Sequence, residues 1–213
     1  MESDWVGGLA QRLQQGALPG VSAHAKMSHP FRPVLPVPDS ARMAAVLALL
    51  YPCAGDWLIV YIERPSGDSR DRHQGQIAFP GGQQDQSDRD LAQTALREAH
   101  EEIGIPPEAV RLLGALTPLY IPVSNFHVFP FLGITNLKPE FIPQVSEVSG
   151  ILEISLQQLL DPSLQTKTTI RYRPGLHIDD VPCFRFGEKV IWGATAMITS
   201  ELNELLSPFH AIR

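Results

Sequence analysis

Hydrophobic and polar positions along the chain change period several times. Trp5, Leu9 and Leu13 recur every four positions and predict an amphipathic helix within residues 1–20, ended by Pro19-Gly20. Residues 28–39 carry Pro30, Pro33, Pro36 and Pro38 and read as an extended arm. Arg42–Tyr51 is almost wholly apolar, the pattern of a strand buried on both faces. A turn over Pro52–Asp56 leads to a second strand, Trp57–Ile62, rich in β-branched and aromatic residues. A polar loop over residues 63–76 follows, then a brief strand within 77–82 that Pro80-Gly81-Gly82 interrupts. Helical spacing resumes from about Asp88 to Ile103, where Gly104 and Pro106-Pro107 end it. Further strands are predicted at Val110–Leu116, Phe126–Ile134 and Ile151–Ile154. A short helix starts at Leu156–Leu160, a long insertion of hairpin character spans 162–189, and a helix closes the domain at Ala194–Leu206. Helices and strands mix without regular βαβ alternation, so the expected class is α+β or a mixed-sheet sandwich.

Within the helix ending at Gly104, LREAHEEIGI places Glu98, Glu101 and Glu102 in five positions. At about 100° per residue, Glu102 lies about 40° from Glu98 on one side and Glu101 about 60° on the other. Leu91, Ala92, Ala95, Leu96, Ala99 and Ile103 fill the neighbouring arc, so the acids border an apolar stripe. A solvated acidic face beside Arg97 is one reading. Against it, negative charge near a helix C-terminus opposes the macrodipole, and like charges at i,i+4 are unfavourable. A divalent cation offsets both effects, and Mg²⁺ takes carboxylate oxygens while leaving positions for phosphates.

Composition narrows this further. The chain has 213 residues, 44% hydrophobic and 19% charged, enough for one domain with a sizeable core. Its formal net charge of −6 argues against sequence-independent nucleic-acid binding. No run approaches the ~18 apolar residues of a membrane span. The N-terminus does not resemble a secretory signal, and Cys53 and Cys183 read as reduced thiols, so a cytoplasmic protein is expected.

The run Arg97-Glu98-Ala99-His100-Glu101-Glu102-Ile103-Gly104-Ile105 resembles the second half of the Nudix hydrolase motif. One inserted residue aligns Gly82 with the motif's glycine and Asp88 with its first acid. HQGQIAFPGG (73–82) and WGATAMI (192–198) are similar to segments of the coenzyme A diphosphatase branch of that family, and the resemblance spans roughly residues 40–206. It implies an α/β/α sandwich around a mixed sheet, an extension over 1–39 and a tail at 207–213. The implied reaction is Mg²⁺- or Mn²⁺-dependent hydrolysis of a diphosphate linkage in coenzyme A or acyl-coenzyme A. ADP-ribose, dinucleoside polyphosphates and oxidised nucleotides are the alternative substrates, and a catalytically silent binding module is a further alternative.

The resemblance also implies roles. Glu98 and Glu102 are expected to ligate the metal, with Glu101 a further ligand or base. Arg97 is expected to position Glu98, and Gly81 and Gly82 to let backbone approach the metal or phosphates. Glu147, in a later loop, is the candidate general base. Arg64, at a strand end, is the favoured phosphate ligand over Arg70 and Arg72. His73 and His127 are expected to satisfy local hydrogen bonds. The insertion's Tyr172, Phe184 and Phe186 fit a specificity pocket, a homodimer contact or the core equally well.

Overall fold

A computed structural model describes residues 4–65, 75–173 and 176–209, without the side chains of residues 4, 172, 173 and 176. The apolar runs pair as a hairpin. β1 (Arg42–Cys53) turns at Ala54 and Gly55 into β2 (Asp56–Glu63), with φ of 51° and 86° at the two turn residues. Two successive left-handed residues match the twist of the flanking strands. The turn is therefore tighter than expected, and Pro52 is paired with Trp57 inside the ladder.

β1 lies at the centre of a mixed sheet. One edge runs parallel to β7 (Phe126–Ile134), from Arg42 opposite Phe126 to Leu50 opposite Ile134. The other edge has two antiparallel partners. From Leu50 onward it pairs with β2, whereas Ala44–Val46 pair with β4 (Gly81–Gln83). β2 meanwhile takes β3 (Ile77–Ala78) through Ile62 opposite Ala78. The sheet is thus split between β1 and β2, and residues 77–83 wedge into the split. What reads as one brief strand is two, on different partners, because Pro80 cannot donate to a ladder. Its carbonyl instead accepts from Leu47 N–H at 2.8 Å. β5 (Arg111–Ala115) and β6 (Leu119–Ile121) flank β7, and β8 (Gly150–Ser155) flanks β2. β6, at three residues, is too short for alternation to reveal.

Side-chain alternation explains why β1 is apolar throughout. Ala45, Leu47, Leu49 and Tyr51 face α3 (Leu91–Ile103), meeting Ala95, Ala99 and Ile103. Ala48 and Leu50 face a second core containing Leu9 and Leu13 of α1 (Asp4–Gln14) and Leu202 and Leu205 of α5 (Gly193–Leu206). The result is the expected α/β/α sandwich. α4 (Leu156–Leu159) is closed by a capping box on Ser155. The insertion forms a three-stranded meander of β9 (Gln165–Arg173), β10 (Leu176–Phe186) and β11 (Lys189–Trp192). Phe184 and Phe186 are buried in the core beside α5, so packing accounts for both.

The first helix ends at Gln14, ahead of Pro19-Gly20, and Gly20 then begins a second that the residue pattern did not predict, α2 (Gly20–Lys26). The cause is tertiary. The wholly buried Glu201 carboxylate on α5 accepts from Gly20 N–H (3.2 Å), Thr117 Oγ1 (2.6 Å) and Thr117 N–H (3.1 Å), and lies 3.0 Å from His24 Nε2. Burial pushes this carboxyl up, but bonds from His24 and Thr117 outweigh it and hold Glu201 below its ordinary range. The cluster joins α2, the β5–β6 connection and α5. Glu201→Ala, which strands these donors, is expected to destabilise the fold by about 3 kcal/mol in urea denaturation. Glu201→Gln, which keeps an acceptor, is expected to lose less.

Candidate active site

Helix α3 starts three residues later than its spacing suggests, because Asp90 caps it by accepting from Gln93 N–H at 2.8 Å. At its other end Gly104 takes φ 75° and donates to His100 O. Asp88, outside the helix, has a different task. Its carboxylate receives Arg97 Nε and Nη2, each at 2.9 Å, and also Thr94 Oγ1 at 2.9 Å and Asp85 N–H at 2.9 Å. This fork, with the other donors, holds Asp88 far below the usual carboxylate range and keeps Arg97 charged. Arg97 then reaches Glu98 Oε1 at 2.8 Å, Glu101 Oε2 at 3.0 Å and Gln83 O at 3.1 Å. Arg97 thus links Asp88 to Glu98 and Glu101, with Asp88 as its anchor.

The three glutamates are unequal. Glu102 was placed beside the apolar stripe, but its residue is only 2% exposed. The wedge of residues 77–83 covers it, and Gly81 N–H donates to Glu102 Oε2 at 2.8 Å. Burial, countered by that bond and added to by repulsion from Glu98, pushes Glu102 up to about 8. Glu98 is half-buried and also raised, first by burial and then by Glu101 and Glu147, against the pull of Arg97. Glu101 has a side chain 53% exposed and turned to Arg97.

Both glycines are required by close approach. Gly81 has φ 153°, and a Cβ there would lie 2.3 Å from Ala45 O and 2.6 Å from Val46 Cα. At Gly82 a Cβ would lie 2.4 Å from Glu98 Oε2. The first contact is with β1 backbone, the second with a flexible carboxylate.

Two other elements act on these carboxylates. Arg64 extends from the end of β2, where its backbone exchanges bonds with Gln76 O (3.0 Å) and Gly75 N–H (3.1 Å), and its charge acts on Glu102. The 141–149 loop brings Glu147 into electrostatic reach of Glu98 and Glu102. Ile142 N–H and Gln144 N–H cap the Ile103 and Glu102 carbonyls at 3.0 and 2.9 Å, satisfying acceptors that a helix end leaves open. Val148, 2% exposed, pegs the loop into the core beneath α3. These loop anchors were not legible in the sequence, because their partners lie tens of residues away. His127 lies apart on β7, ring to ring with Phe129 at 4.4 Å. Arg70, Arg72 and His73 fall outside the described residues, as does the Tyr172 side chain.

The family model for the NUDIX domain matches residues 41–174. The chain belongs to the Nudix hydrolase family. It is 38% identical over 141 residues to a Pectobacterium atrosepticum protein named "uncharacterized Nudix hydrolase NudL", covering 66% of this chain and 71% of that one. A protein of the same name from Yersinia pestis is 35% identical over 188 residues, covering 83% and 92% of the two chains. The solved Nudix hydrolase RenU of M. smegmatis superposes with TM-score 0.52 at 16% identity, covering 81% of this chain and 88% of that one, and supports the fold. This Nudix hydrolase acts on phosphoanhydride bonds, and no described helix is long and apolar enough to cross a membrane.

Nudix hydrolases generally use divalent ions such as Mg²⁺ or Mn²⁺. Among the described residues no three ligating groups converge tightly. The donor chemistry nevertheless fits a hard cation: two carboxylates are crowded and raised by burial, beside a glycine whose missing Cβ leaves room.

Gly81→Ala is expected to lower stability markedly, whereas Gly82→Ala keeps most stability and loses activity by displacing Glu98, as thermal melts beside turnover assays will show. A carboxyl raised to about 8 contributes stability that is complete below its ordinary pKa and is lost as pH rises through 8. In chelator-treated protein, Glu102→Gln should therefore melt above wild type at pH 8, with the gap closing toward pH 5.

Proposed function

We propose that this Nudix hydrolase cleaves the diphosphate linkage of coenzyme A or acyl-coenzyme A, releasing adenosine 3′,5′-bisphosphate and 4′-phosphopantetheine. The observation that carries the substrate class is the meeting of the two segments that resemble the coenzyme A diphosphatase branch. Ile77 and Phe79 of IAFPGG share one core with Ala196 and Met197 of WGATAMI. Lys189, just before the second segment, pairs with Glu63 at the end of β2. The two signatures, over a hundred residues apart, thus pack into one core, and the first of them continues into the glycines beside the carboxylates.

In this reading Glu98 and Glu102 would hold the Mg²⁺ or Mn²⁺, with Glu101 as a further ligand. The bound ion would polarise phosphoryl oxygens and make a water more acidic. Glu147 accepts the proton of the water that attacks phosphorus as the P–O–P bridge breaks. Arg64 neutralises the diphosphate, and Gly81 and Gly82 keep side chains out of its way. Arg97, anchored on Asp88, holds Glu98 in place and is a positioning residue. No covalent nucleophile is needed.

Coenzyme A, acyl-coenzyme A, ADP-ribose and dinucleoside polyphosphates, each assayed with Mg²⁺ and Mn²⁺ and read by product analysis, test the proposal. Coenzyme A or its thioester is expected to turn over best, and a large preference for ADP-ribose would remove the assignment. Glu102→Gln is expected to lower kcat by about 10²-fold or more while the protein stays folded.

A further inference from the structure

Ser149 links the 141–149 loop, the end of β2 and the start of β8. It follows Val148, the peg of the loop that carries Glu147, and precedes Gly150, the first residue of β8. Its N–H donates to Glu63 O at 2.8 Å, extending the β2–β8 ladder by one bond. Its hydroxyl lies 3.1 Å from Glu63 O and 3.3 Å from Arg64 O. β2 has already left β1 at the split, and the Arg64 backbone bonds to Gln76 and Gly75 on one side and to Ser149 on the other.

We propose that Ser149 is a positioning residue that fixes Arg64 relative to the Glu147 loop. The charges of Arg64 and Glu147 both act on Glu102. The proposal rests on the phosphate-binding role given to Arg64 above. The hydroxyl reaches Arg64 O, and the N–H bond to Glu63 keeps the ladder intact without it. Ser149 is exposed, so replacing it disturbs no core packing. Losing the bond lets the strand end relax, and Arg64 moves relative to the loop.

The test measures binding of methylenediphosphonate, a non-hydrolysable diphosphate, by calorimetry in Mg²⁺, alongside kcat and KM on the best substrate. Ser149→Ala is expected to weaken binding about fivefold, the scale of one lost neutral hydrogen bond. Its melting temperature should stay near wild type, and Ser149→Thr, which retains the hydroxyl, should restore binding. Arg64→Ala is expected to weaken binding more, and adding Ser149→Ala to it should change nothing further. Wild-type binding by Ser149→Ala, or independent losses in the double variant, overturns the positioning role. Wild-type binding by Arg64→Ala overturns the phosphate assignment of Arg64, and the positioning role with it.

Discussion

The site depends on the wedge that residues 77–83 drive into the split between β1 and β2. Strand pairing on both sides of the split fixes the wedge, with Ile77–Ala78 on β2 and Gly81–Gln83 on β1. Its two glycines then sit where any side chain would collide, one with the backbone of β1 and one with Glu98. That proximity buries Glu102 and aims a backbone N–H at it. Crowded, desolvated carboxylates are unfavourable alone, and a hard cation relieves them. The sheet thus stores at this point a charge imbalance that suits the chemistry of a diphosphate hydrolase.

Around the wedge, each acid has been given a different environment. Asp88 is saturated with donors and serves Arg97. Glu98 is partly neutralised by Arg97, Glu102 is buried with a single backbone donor, and Glu101 faces water. One guanidinium reaches Asp88, Glu98 and Glu101, so a single residue sets the order of the acidic end of the helix. The buried Glu201 shows the contrasting case. There several donors converge on one carboxylate, and its role is to tie the N-terminal helices to α5.

Much of this was legible in residue order. The double-faced burial of β1, the helix bounded by Gly104, the glutamate spacing and the PGG turn are local, and local pattern reports them. The match to the Nudix family over residues 41–174 rests on the same features. What pattern does not carry is pairing at long separation. Gly20 begins a helix because Glu201, 181 positions away, accepts its N–H. Residues 77–82 divide into two strands because the partners of the two halves separate.

Residue order supplies the side chains: a helix with three close carboxylates, a guanidinium among them and two glycines before them. How those groups differ comes from long-range packing. Helical geometry puts Glu102 at the margin of an apolar stripe, and it takes the wedge above and the 141–149 loop at the helix end to make that margin an interior. A carboxylate's behaviour depends on what desolvates it and what donates to it. Both come from segments that folding, not sequence proximity, brings near.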